Sequence, residues 1–77
     1  MAVVRYFAAA QEATGLDTER RDETTLGALR EAVTAAYPAL GGILPRCAVH
    51  VGGSRVADDT PLGADELVDV LPPFAGG

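Results

Sequence analysis

The sequence has 77 residues, 48% of them apolar, with 11 acids, 6 bases and a net charge of −5. A chain this short makes one domain and buries only a little over ~60% of its unfolded surface, which excludes a large catalytic cleft built from several loops. The acidic balance argues against nucleic acid, where phosphate contacts supply most of the affinity, and suits docking on basic partners.

All six bases are arginine. With no lysine, no side-chain amine is available for a Schiff base or an isopeptide bond. Cys47 is the single cysteine, so no internal disulfide forms and nothing suggests an oxidising compartment. The start, Met1-Ala2-Val3-Val4-Arg5, lacks a signal-peptide layout, and no apolar run approaches ~18 residues. A cytoplasmic protein without membrane contact is expected.

In chain order, residues 2–7 (Ala-Val-Val-Arg-Tyr-Phe) alternate as a strand, with Val4 and Tyr6 on one face and Val3, Arg5 and Phe7 on the other. Ala8 to Ala13 suit a helical turn capped near Gly15. Residues 16–22 are polar, a weak signal for an edge strand blunted by charge. Thr25 to Tyr37 is the main helix: Thr25 caps it, Leu26, Leu29, Val33 and Tyr37 form its apolar stripe, and Pro38 stops it. Residues 46–51 read as a strand with Cys47, Val49 and Val51 on one face. Gly52-Gly53 fits a tight hairpin turn and Ser54–Ala57 a short return strand. Asp58–Pro61 and Gly63–Glu66 are turns. Residues 67–71 form the last strand, with Val68 and Val70 facing one way and Leu67, Asp69 and Leu71 the other. The layer rule then gives an α+β domain, a mixed sheet of about five strands with one main helix across one face.

Inside this domain, no residues assemble an evident reaction centre. His50 lacks partners at metal-ligand spacing and reads as a solvated strand residue, so no metal site is expected. Cys47 would need a base to act as a nucleophile, and His50 lies on the opposite strand face; a small core residue is the better reading. Asp58-Asp59 and Asp65-Glu66 sit in turns without a cleft and read as solvated turn residues. Gly52-Gly53 opens no helix and is no phosphate loop.

The end of the sequence, Pro72-Pro73-Phe74-Ala75-Gly76-Gly77, reads differently. A frayed terminus is the ordinary alternative. However, prolines directly after a strand make the chain leave the sheet, and Pro-Pro holds it extended. Pro73 to Gly77, fully extended, reaches at most about 17 Å, enough to enter another protein's buried site. Glycine lacks a Cβ, so Gly76 and Gly77 pass a narrow channel and leave the terminal carbonyl open to attack.

The opening Val-Val-Arg-Tyr-Phe-Ala-Ala-Ala-Gln-Glu-Ala-Thr-Gly, the Thr25-Leu26…Leu29-Arg30 helix start and the run Asp69-Val70-Leu71-Pro72-Pro73-Phe74-Ala75-Gly76-Gly77 together resemble the MoaD/ThiS family of sulfur carriers. The resemblance spans nearly the whole chain. A terminal Gly-Gly is shared with ubiquitin and other relatives, whereas Pro-Pro-x-x-Gly-Gly after the last strand marks the MoaD branch. One departure is Gly52-Gly53, where the family often carries asparagine; both tolerate positive φ.

The resemblance implies a β-grasp, or ubiquitin-like, fold over residues 1–72, with first and last strands adjacent and parallel, and a tail over 73–77. It also implies a mechanism. A terminal carboxylate, with a pKa near ~3.5, is ionised and a poor electrophile. In the family an ATP-dependent, MoeB-like enzyme adenylates it, and a persulfide sulfur from a donor protein displaces AMP to leave a thiocarboxylate. Here that group would sit on Gly77. The tail then enters a MoaE-like large subunit in an expected heterotetramer and passes sulfur to cyclic pyranopterin monophosphate, the molybdopterin precursor. Catalytic side chains belong to the large subunit; no cofactor is bound by the carrier itself, and ATP is used by the activating enzyme. A ThiS-like or cysteine-forming carrier for another product, and a protein modifier or binding module that never bears sulfur, remain open beside this.

With Val4, Val49, Val51, Val68 and Val70 covering the helix stripe, the far face shows Phe7, Leu67 and Leu71, with Ala48 small. Clustered beside the tail exit, these would form a docking patch for the large subunit. A standard interface buries about 800 Å² per partner.

Overall fold

A computed structural model of the chain describes residues 1–73; Phe74, Ala75, Gly76 and Gly77 lie outside it. Five strands form one sheet: β1 (Ala2–Tyr6), β2 (Thr18–Arg21), β3 (Ala48–Val51), β4 (Ser54–Arg55) and β5 (Leu67–Leu71). Their order across the sheet is β2-β1-β5-β3-β4. β1 and β5 run parallel and all other pairs antiparallel. This is the β-grasp arrangement, with β5 at the centre.

Three helices accompany the sheet: α1 (Ala9–Thr14), α2 (Leu26–Ala36) and α3 (Pro38–Gly41), the last followed by a 3₁₀ turn at Leu44–Arg46. The hydroxyl oxygen of Thr25 accepts from the Ala28 amide at 3.2 Å, satisfying one of the orphan donors at the start of α2. Leu26, Leu29 and Val33 place the apolar stripe of α2 against Val4, Val49, Val51, Val68 and Val70; all eight are buried. The alternation in β1, β3 and β5 sends every second side chain into this layer. Gly52 and Gly53, at φ 58° and 85°, make the two-residue turn between β3 and β4 that requires positive φ at both positions.

Some boundaries differ from the sequence reading. Pro38 does not end helical structure; it ends α2 and starts α3, since proline is as well suited to a first turn as it is unsuited to an interior. The connection then buries Leu40 and Leu44, at 0% and 4% exposure, to which the sequence reading gave no place. β3 begins at Ala48 rather than Arg46, because Leu44–Arg46 closes the 3₁₀ turn first. β4 stops at Arg55 rather than Ala57.

The charged edge strand β2 is tied back to the helical layer by Glu19. One carboxylate oxygen accepts from the Tyr6 hydroxyl at 2.8 Å and the other from the Tyr37 hydroxyl at 2.6 Å. The two rings meet edge to face, with centroids 6.2 Å apart. Arg21 stands beside Glu19 and forms a two-pronged pair with Glu23, both contacts at 2.9 Å.

Candidate functional site

The root of the C-terminal segment is set by β5. Because this strand lies between β1 and β3, its end is held on both sides as far as Leu71, whose Cα partner on β3 is Ala48. Phe7 donates its amide to the Val70 carbonyl at 3.3 Å, which carries the β1–β5 pairing one step further. Pro72 is buried and Pro73 exposed, in a small cleft lined by Ala9, Ile43 and Arg46. Proline offers no amide to either neighbour, so the sheet ends there and the chain departs. The expected sulfur-bearing Gly77 and the tail residues Phe74, Ala75 and Gly76 lie outside the described residues.

The sheet face away from α2 is laid out in three rows across β1, β5 and β3. Carried one residue past the Tyr6–Val70 pair, the β1–β5 register sets Phe7, Leu71 and Ala48 in the row beside the tail root. The middle row is Arg5, Asp69 and His50. Val3 and Leu67 form the third. Phe7 and Leu67 are 40% and 42% exposed, and Leu71 is half-buried. Leu67 therefore shares the face with Phe7 and Leu71 but not their end of it. Four residues of strand, roughly 13 Å, separate it from Leu71, so it does not cluster at the exit as the sequence suggested.

Between the apolar rows lies an ion pair that the sequence reading missed. Arg5 Nε donates to Asp69 Oδ1 at 2.6 Å and its Nη2 to Oδ2 at 2.8 Å. The guanidinium also stands 5.8 Å from the Phe7 ring centroid, within cation–π range. Hydrogen bonding to Asp69, and then its charge, push the Arg5 pKa up, so the cation is permanent. The alternation places Arg5 and Asp69 each on the outward face of its own strand; only the parallel register of β1 and β5 sets them opposite each other.

Just past β1, Ala8 adopts φ 49° and ψ −122°, a backbone conformation an L-residue rarely takes. It turns the chain into α1 directly after Phe7, so backbone strain sits at the edge of the apolar row.

The remaining candidate chemistry is accounted for structurally. Cys47 is buried and its thiol donates to the Ile43 carbonyl at 3.3 Å. Burial pushes the thiol pKa up, with the Arg30 charge opposing more weakly, which disfavours the thiolate. His50 lies on the other face of β3. Asp58 accepts from Arg30 at 2.9 Å, Asp65 pairs with Arg20 at 3.2 Å, and Glu66 accepts from the Gly63 amide at 3.3 Å. Among the described residues no three of His, Cys, Asp and Glu gather at metal-holding distance, and no helix is long and apolar enough to cross a membrane.

Residues 4–77 match the model of the ThiS family. Small archaeal modifier protein 1 (SAMP1) from Haloferax volcanii aligns with a TM-score of 0.86 at 25% identity, covering 99% of this chain and 98% of that one. A chain in the complex of subunits 1 and 2 of the molybdopterin-converting factor from Helicobacter pylori aligns at 0.74 and 25% identity, covering 99% and 97%. SAMP1 from Methanosarcina acetivorans, at 20% identity and a TM-score of 0.86 over 99% and 95%, shares the fold. The comparison with curated proteins finds no match.

Proposed function

Because the chain belongs to the ThiS family, we propose that it is a sulfur carrier for molybdopterin synthesis, with Gly77 as the acyl residue. The observation that carries this reading is the family match itself, which runs on through Gly77 rather than stopping with the folded domain. The Pro-Pro segment and Phe74 favour the molybdopterin branch over other sulfur carriers.

In this reading the chain is a co-substrate, and its structure serves delivery. A MoeB-like enzyme joins the Gly77 carboxylate to AMP from ATP, which gives the carbonyl a good leaving group. The outer sulfur of a donor protein's persulfide displaces AMP to give an acyl disulfide, and a thiol then cleaves its S–S bond, leaving the thiocarboxylate on Gly77 and a disulfide on the donor side. The soft, nucleophilic sulfur is then carried on the tail into a MoaE-like large subunit and transferred to cyclic pyranopterin monophosphate. The central position of β5 gives the tail a rigid base, and the row of Phe7, Leu71 and Ala48 beside it gives the partner an apolar surface to hold. The work takes place in the cytoplasm.

A second reading has its own support. The likeness to SAMP1 of H. volcanii, at 25% identity over nearly both whole chains, favours a ubiquitin-like protein modifier. The same activated Gly77 would then meet an amine instead of a sulfur. Intact mass after incubation with ATP, the adenylating enzyme and a sulfur donor separates the two. Replacement of one oxygen by sulfur adds roughly 16 Da and supports the carrier. An unchanged mass, with covalent adducts to lysine-containing proteins instead, rejects it in favour of the modifier.

A further inference from the structure

Arg5 has five N–H donors in a planar fork. Asp69 takes two of them, one each from Nε and Nη2. Among the described residues the other three meet no acceptor, and the side chain is 41% exposed. This cation stands between two apolar rows, Phe7–Leu71–Ala48 and Val3–Leu67, on the face proposed above for docking. Water satisfies the three donors in the free protein. A purely apolar partner surface laid over both rows would strip that water and leave three donors of a permanent cation unpaired, which opposes binding.

The position of the guanidinium is also fixed. Asp69 holds it along the Nε/Nη2 side, and the Phe7 ring lies against it at 5.8 Å. The side left open is the Nη1/Nη2 end, whose paired hydrogens match the two oxygens of a carboxylate. A prepositioned fork loses little side-chain freedom on binding.

We propose that the partner docked on this face presents a carboxylate to Arg5, set in an otherwise apolar surface that covers Phe7, Leu71 and Leu67. Arg5 then bridges two carboxylates, Asp69 of this chain and an Asp or Glu of the partner. The pair acts as a selectivity filter: an apolar surface without an acceptor at that point is rejected, although the apolar rows alone would hold it. With docking on a large subunit as proposed above, the acid belongs to that subunit.

The test must separate loss of the partner's contact from damage done by leaving Asp69 without Arg5. Binding of a MoaE-like large subunit is measured by calorimetry for the wild-type chain, Arg5→Gln, Asp69→Asn and the double variant Arg5→Gln/Asp69→Asn, with circular dichroism confirming each fold. The double variant removes both charges and leaves no orphaned carboxylate. The expected result is that the double variant binds at least tenfold more weakly than wild type, and that wild-type affinity falls with added salt more steeply than that of the double variant. A double variant that binds as wild type, with only Arg5→Gln weakened, overturns the proposal, because the loss then belongs to Asp69 alone. Equal salt slopes also overturn it, since they leave a neutral acceptor in place of the carboxylate. If the wild-type chain fails to bind the large subunit at all, the functional reading of the docking face is what fails.

Discussion

Val70 and Leu71 are neighbours on β5 and face opposite ways: Val70 is 3% exposed beneath α2, while Leu71 is half-buried on the other face. Replacing each by Asp should therefore give opposite results. Val70→Asp gives up the burial of a valine, about 1.5–3 kcal/mol. It also puts a carboxyl among Leu26, Val33, Val49 and Val68, where no donor waits. Such burial raises a carboxyl pKa by up to about 3–5 units. Because the acid simply stays neutral once its pKa passes the pH, the cost at pH 7 is capped near the gap between about 3.9 and 7, or about 4 kcal/mol at about 1.4 kcal/mol per unit. The sum, about 5–7 kcal/mol, is comparable to the whole stability of roughly 4–12 kcal/mol that a 77-residue domain commands. The cost has a pH signature. With the folded pKa above the unfolded one, near 3.9, the ionisation part of the penalty is absent below pH ~4 and grows as pH rises toward the folded value, while the lost valine burial remains at every pH. Leu71→Asp places its carboxylate at a partly solvated position and should leave the domain folded while weakening partner binding. Thermal melts by circular dichroism and a titration with the large subunit read both effects. A folded Val70→Asp beside an unfolded Leu71→Asp would show that the strand register is displaced by one residue and that the docking face is the wrong one.

Gly77→Ala, or deletion of Gly77, is expected to abolish sulfur delivery in a reconstituted molybdopterin assay with the melting temperature unchanged; a normal rate from either would reject the carrier reading. Cys47→Ser should keep nearly full carrier activity and lose about 0.5–3 kcal/mol of stability in a urea titration, because the thiol packs in the core instead of reacting; a well-folded but inactive variant would move the chemistry to the thiol. Ala8→Gly should raise stability by about 1–2 kcal/mol by relieving the positive φ, measured by the same titration, with no gain if that backbone conformation is not strained. Burial and the Glu19 hydrogen bond push the Tyr6 pKa up, and the Glu19 hydrogen bond pushes up that of Tyr37. Both raised values stabilise the fold fully below the unfolded tyrosine pKa of about 10, and that stability is lost as pH rises toward the folded values. Unfolding at pH 11 should therefore be easier in wild type than at pH 9, and Glu19→Gln should lessen the difference; a wild-type tyrosine absorbance titration centred at pH 10 would contradict this.

The strands and main helix were legible because each carries its own period. Val4 and Tyr6, Val49 and Val51, and Val68 and Val70 alternate at two residues, while Leu26, Leu29 and Val33 recur at helical spacing. Residues 38–46 have no such period. Two very short elements turn through them, each too brief to repeat a pattern, so Leu40 and Leu44 looked like loop residues although they close the core. Proline was read for what it ends and not for what it begins. On the docking face, alternation placed Arg5 and Asp69 on the same side, but their meeting depends on a register between residues 64 positions apart, which no local pattern encodes. The same limit put Leu67 with Phe7: sharing a face is a local property, whereas sharing an end of it is not.

The central place of β5 also governs how this domain is made. It is the last strand in chain order among the described residues, yet it sits between β1 and β3 and supplies both of the sheet's inner ladders. While the chain is being synthesised, β1 and β3 have no neighbour between them, and the helix stripe lies over a gap. The β-sheet cannot close until residues 67–71 have left the ribosome, and the decisive pairing must bring Val3 to Leu67 across nearly the full sequence. Such long closure predicts slow folding for so small a domain. It also couples quality to readiness: a chain truncated before Leu71 has no intact sheet, so the folded state itself certifies that the base of the tail is present.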